Sequence, residues 1–156
     1  LIIVAAVAAI IATLVLPVLQ ISGTSMEPTL QNGDIVVLVK TSDLEYGDLC
    51  AFAYSNKVLI KRVIGLPGDT VVVDKEGTVY INGYALEEPY IDEKGFGECD
   101  VEFPYTVPEN EFFLMGDQRT TSIDSRSTVI GCVTREQIIG KLYFKIWPLK
   151  KFEILG

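Results

Sequence analysis

The first twenty residues, LIIVAAVAAIIATLVLPVLQ, carry no charged side chain, and no other feature of the chain restricts its architecture so strongly. About 20 consecutive apolar residues is the length at which a helix crosses a hydrocarbon core. Three structures compete for such a run: a membrane anchor, the apolar part of a cleavable signal peptide, and a buried core helix. The run is longer than the roughly 7 to 15 apolar residues of a signal peptide, and it lacks the polar positions that a core helix shows at helical spacing. The expectation is a transmembrane anchor over 1–20, followed by one β domain over 21–156. The chain begins without Met and without a basic flank, so it reads as a fragment that lacks the charge bias setting orientation.

Beyond residue 20 the texture changes to short runs rich in Val, Ile and aromatics, broken by Gly, Pro, Asn and Asp. Residues 34–40, 49–55, 57–65, 70–74, 78–83, 111–117 and 140–149 read as strands. Asn82-Gly83 signals a type I′ hairpin, and Pro67-Gly68 suits the central pair of a type II turn. No long helical period interrupts these runs, so the expected fold is all-β and mainly antiparallel, with the N-terminal helix attached. The acidic, Pro- and Gly-rich stretch 87–110 reads as an excursion from the sheet, and 118–127 as a polar loop. There is no internal repeat and no low-complexity tract.

The net charge of −8 argues against a nucleic-acid partner, whose binding rests on Lys and Arg neutralising phosphates. Cys50, Cys99 and Cys132 are an odd set without CxxC spacing, which indicates neither a disulfide framework nor a zinc site. One pair could bridge in an oxidising space; three buried free thiols fit equally well. The chain has no histidine, which excludes a Ser-His-Asp triad and a histidine-based metal site. No metal and no cofactor are expected.

Within SGTSMEPTL (22–30), Ser25 stands on a glycine-led turn directly behind the apolar run. As a nucleophile it needs a base, and without histidine the choice falls on lysine or a carboxylate. Free lysine titrates near 10.4, so service near neutral pH needs a fall of about 2 to 3 units, roughly 3 to 4 kcal/mol. Burial among apolar groups can supply that. Of the nine lysines, Lys61 in VLIKRVI has aliphatic neighbours on its own strand face, Leu59 and Val63. Bland alternatives stand beside both residues. Lys61 fits an edge-strand lysine that blocks aggregation, and Ser, Gly and Thr before Pro are ordinary turn residues. In MGDQRTTSIDSRS (115–127), Asp117, Arg119, Asp124 and Arg126 crowd around Ser122. They form either a solvated loop with weak surface ion pairs or a braced loop that presents the Ser122 hydroxyl.

In this order the pieces resemble type I signal peptidases, membrane-anchored serine proteases that remove signal peptides from exported proteins. The resemblance runs over the apolar segment, SGTSMEPTL, GDLCAF, KRVIGLPGD, MGDQRTTSIDSR and GKLYFKIWPL. It implies Ser25 as nucleophile and Lys61 as general base, with Ser122 hydrogen-bonding the lysine and Asp124 supporting that loop. Arg62, Asp117, Arg119 and Arg126 would hold the site together. Substrate would add as a strand along Ile21, Ser22, Gly23 and Val58, Leu59, Ile60. Partners implied are preproteins carrying signal peptides and the lipid bilayer, with the domain on the extracytoplasmic side of the plasma membrane, a single span, and a small inserted subdomain at about 75–112. Two departures stand out: Gln118 where the family usually has Asn, and Gly23 where some members carry an oxyanion-binding serine. The Ser25 N–H is then the best oxyanion donor. Two further functions remain, a self-cleaving Ser-Lys regulator, which would need a DNA-binding module and no anchor, and a non-catalytic membrane-tethered β domain.

Overall fold

The computed structural model describes the backbone from Leu1 to Gly156, and all side chains except those of 12–15. The apolar run forms helix α1 (Ile2–Val15) and stops there. Pro17 accounts for the stop, because it disfavours the helical conformation in the residue before it and has no N–H to donate. At 14 residues α1 is about 21 Å long, against about 30 Å of hydrocarbon core. No helix among the described residues is long and apolar enough to cross a membrane. Residues 18–20, expected inside the anchor, are instead strand β1 (Val18–Gln20), antiparallel to β2 (Ile35–Val39).

The remaining strands are β3 (Leu49–Tyr54), β4 (Lys57–Gly65), β5 (Thr70–Val73), β6 (Val79–Ile81), β7 (Tyr84–Ala85), β8 (Tyr105–Thr106), β9 (Glu111–Met115), β10 (Val133–Thr134), β11 (Ile138–Trp147) and β12 (Glu153–Ile154). The larger sheet runs β1-β2-β11-β3-β4-β9-β10, with β12 also on β11, and the smaller runs β7-β6-β5-β8. Every pairing is antiparallel, as short connections require. Asn82 and Gly83 both take positive φ, 52° and 85°, and join β6 to β7 as the hairpin signal predicts. The excursion over 87–110 is not wholly outside the sheets, because Tyr105–Thr106 return as β8 against β5.

Period-two alternation builds the core. Val36 and Leu38 of β2 point inward while their neighbours are half-buried. In β3, Leu49 and Ala51 join a cluster with Ile21, Met26 and Leu30, whereas Cys50 and Phe52 join another with Val63 and Leu114. A third cluster under the smaller sheet gathers Ile64, Val71, Val79, Phe113 and Met115. Strand β4 thus passes between clusters, and its C-terminal half is buried residue after residue. All three cysteines are free thiols, and burial pushes Cys50 well up from the ordinary thiol range.

Candidate active site

Strand β4 pairs with β3 over residues 57–62, but with β9 only from Arg62 onward. Its first half therefore leaves one edge without a strand partner. Opposite that edge lies the segment following β1, and between them is a cleft of about 120 Å3. Ile21, Ser22, Gly23, Val58, Leu59 and Ile60, the six residues expected to meet substrate, all line it, together with Ser25 and Lys61. The turn bearing Ser25 is tied down on both flanks. The Gly23 N–H donates to Asn32 Oδ1 at 2.9 Å, Ile21 N–H to the Asp34 carbonyl at 2.8 Å, and Leu30 N–H to the Met26 carbonyl at 2.9 Å.

Lys61 Nζ donates to Ser25 Oγ at 2.8 Å. Lys61 is 4% exposed, and burial lowers its pKa from the ordinary lysine range. Asp124 and Asp117 pull the value back up, and Arg126 pushes it down. An amine in this setting sheds its proton more readily than one in water, and it sits at hydrogen-bonding distance from a hydroxyl oxygen.

The loop after β9 packs against the back of this pair. A Cβ on Gly116 would fall 2.1 Å from Ser122 Oγ and 2.6 Å from the Ser25 carbonyl oxygen, so only glycine admits this approach. The Gln118 N–H donates to the Ser25 carbonyl at 3.0 Å and the Gly116 N–H to Asp124 Oδ2 at 2.9 Å. Arg126 grips both oxygens of Asp124, each at 2.9 Å, and donates to the carbonyls of Phe96, Arg119 and Ser122. Arg62 makes a two-point ion pair with Asp117 at 2.8 and 2.6 Å. Arg119, Asp124 and Arg126 are 0% exposed, which replaces the solvated-loop alternative with a buried ionic layer. Ser122 differs from expectation: its Oγ is buried with no hydrogen-bond partner, and the expected bond to Lys61 is not made. The hydroxyl is turned against Gly116 instead.

A family model described as "Signal peptidase, peptidase S26" matches residues 1–147. The chain belongs to this family. Signal peptidase I S of Bacillus subtilis (strain 168) is 36% identical over 143 residues, 84% of this chain and 77% of that protein. Signal peptidase IB of Staphylococcus aureus is likewise 36% identical, over 153 residues, 85% of this chain and 78% of that protein. A solved signal peptidase I from Enterococcus faecalis V583 superposes with a TM-score of 0.54 at 31% identity, covering 64% of this chain and 97% of that one. As a member of the S26 family the chain is a peptidase.

Sequence reasoning missed Glu88, Tyr90 and Thr29. The Glu88 carboxylate takes both terminal nitrogens of Arg119, one at 2.7 Å, and the Tyr90 ring lies 3.8 Å from the Arg62 guanidinium. Thr29 Oγ1 donates to Asp117 Oδ2 at 2.5 Å. One signal was available for Glu88. The charged residues expected to brace the site are three arginines, Arg62, Arg119 and Arg126, against two aspartates, Asp117 and Asp124. Buried charges are paired, so a third carboxylate has to arrive from elsewhere in the chain.

Proposed function

We propose that this chain is a membrane-anchored serine endopeptidase that cleaves N-terminal signal peptides from exported preproteins, with Ser25 as nucleophile and Lys61 as general base. The observation that carries the reading is the 2.8 Å contact between Ser25 Oγ and a lysine amine that burial drives toward neutrality. Neutral Lys61 takes the Ser25 proton as Oγ attacks the scissile carbonyl. The resulting oxyanion accepts hydrogen bonds, the Ser25 N–H being the candidate donor with Gly23 in the neighbouring turn. Lys61 then passes its proton to the leaving amine, and the acyl group stays on Oγ. In the second half Lys61 takes a proton from water, hydroxide attacks the ester, and Ser25 recovers its hydroxyl.

Substrate lies in the cleft as an extended strand, between Ile21–Gly23 on one side and the open edge of β4 at Val58–Ile60 on the other. Asp124, Arg126, Asp117, Arg62 and Arg119 fix the 116–126 loop behind the pair, and Ser122 belongs to that loop. The inserted subdomain expected at about 75–112 overlaps the smaller sheet, whose β5 (Thr70–Val73) begins ahead of that range, while Glu111 and Phe112 start β9 of the larger sheet. Residues 1–20 mark the membrane attachment, of which α1 is the helical part, with the β domain on the extracytoplasmic side of the plasma membrane. Supporting this placement are the uncharged run itself and a set of exposed apolar side chains, Val18, Trp147, Leu149, Phe152 and Ile154, two of them on strands flanking β2.

The decisive assay incubates the protein in detergent with a preprotein and compares Ser25→Ala, Lys61→Ala and Lys61→Arg with the parent chain. All three are expected to stay folded and to lose cleavage by about a thousandfold or more. Full turnover by Lys61→Ala would remove the base from the scheme.

A further inference from the structure

We propose that Glu88 and Tyr90 form a clasp that positions the Ser25–Lys61 pair by fixing the two arginines behind it. The proposal rests on the reading of that pair as catalytic, and deepens it.

Both residues lie just beyond the β6–β7 hairpin, in the acidic excursion. The Glu88 carboxylate accepts from Nη1 and Nη2 of Arg119, and from the Tyr90 hydroxyl at 2.8 Å. The Tyr90 ring in turn covers the Arg62 guanidinium. A stretch of three residues thus reaches both guanidinium groups. Each arginine also contacts one short turn, Arg62 holding the Gly47 carbonyl and Thr29 Oγ1 besides. Arg119 Nε donates to the Gly116 carbonyl at 2.9 Å, and Arg62 pairs with Asp117. Gly116 is the residue packed directly on Ser122 and on the Ser25 carbonyl, and Gln118 donates to that carbonyl. The clasp holds this turn from behind at two points. Among the described residues Glu88 is the carboxylate bonded to fully buried Arg119, so its loss leaves that cation uncompensated.

Loosening the turn changes the surroundings of Lys61. Facing its amine are Ser25, Asp117 from the turn, and Asp124 and Arg126 from the loop. Arg62 is next along β4, and the neutral Cys50 thiol lies across on β3. Water admitted beside Asp117 weakens the burial that lowers the Lys61 pKa, so Lys61 titrates higher and the rate falls at a given pH. A contact that only stabilised the fold would lower the unfolding temperature and leave both quantities unchanged.

The test uses the full chain in detergent with a peptide spanning a signal-peptide cleavage site. Glu88→Gln and Tyr90→Ala are expected to lower kcat about ten- to hundredfold with little change in KM. They also move the acidic limb of the kcat/KM profile up by about one pH unit. Tyr90→Phe keeps the ring over Arg62 and recovers most of kcat. Wild-type kcat and an unshifted limb in Tyr90→Ala would overturn the clasp, as would losses that match the unfolded fraction in thermal melts. Tyr90→Ala removes no charge and decides alone should Glu88→Gln fail to fold. In a Ser25→Ala background, carbon-13 NMR titration of the Lys61 side chain reads the same upward shift without turnover. An inactive parent chain would then count against the catalytic reading, while the titration still decides the clasp.

Discussion

Burial lowers the Lys61 pKa, so below that folded-state value the protein holds a charged amine in a dry site and is less stable for it. The sign follows from proton counts. Between the folded-state pKa and the unfolded value near 10.4 the unfolded chain binds more protons, so stability rises with pH across that window. Lys61→Met is therefore expected to abolish cleavage while raising the unfolding temperature, by on the order of a few degrees. The gain should be fullest below the folded-state pKa and fade above about pH 10. Thermal melts of both proteins over a pH series check this, and a gain that does not depend on pH would break the link to titration. Gly116→Ala tests the opposite contact. Its new Cβ meets Ser122 Oγ at 2.1 Å and backbone at 2.6 Å, so about 1 to 3 kcal/mol of stability and most of kcat should be lost together. Leu59 and Val63 single out Lys61 on an aliphatic strand face, but that pattern fits an edge-strand lysine as well, and the resemblance of the motifs to the family is what picks it as the base. The resting orientation of Ser122 was not legible, because a hydroxyl rotor is set by a neighbour, Gly116, whose approach no sequence period encodes.

At the level of elements, β4 acts as wall, ladder and open edge in turn. Toward β3 it is paired over 57–62, toward β9 its second half is paired, and on that side its first half offers free backbone to the cleft. If substrate docks there as a strand, N-methylating one amide just before the scissile bond removes a ladder hydrogen bond. KM should then rise about tenfold, matching roughly 1 to 1.5 kcal/mol, with kcat less affected. Steady-state kinetics on matched peptides measure it, and an unchanged KM at every methylated position would exclude strand-like binding. The same ladders explain what could be read beforehand. β2, β3, β4, β5, β6, β9 and β11 announced themselves through β-branched and aromatic content between turn residues. β7, β8, β10 and β12 have two residues each, too few to carry an alternating signal. β1 was hidden for another reason: Val18–Gln20 continue the apolar composition of α1, and only Pro17 marks where helix gives way to strand.

Across the whole molecule, the proposed function assigns location to α1 and chemistry to the β domain. Residues 2–11 of α1 are exposed and take no part in the core clusters, whereas the ladder begins at β1, with the Leu38 N–H donating to the Pro17 carbonyl at 2.9 Å. The β domain should accordingly survive removal of 1–15. Such a chain is expected to cleave a soluble peptide with unchanged kcat/KM. On a preprotein embedded in lipid vesicles it should fall behind the longer chain by about a hundredfold, because tethering replaces a bimolecular search with a high effective concentration at the membrane surface. The exposed apolar residues Trp147, Leu149 and Phe152 bear on the size of that gap. If they rest on the bilayer, replacing them with serine in the shortened chain should widen the deficit on vesicles while leaving the soluble-peptide rate alone. Equal rates for the long and short chains on vesicles would mean that the preprotein reaches the cleft without help from the apolar segment, and that the open edge of β4 alone selects it.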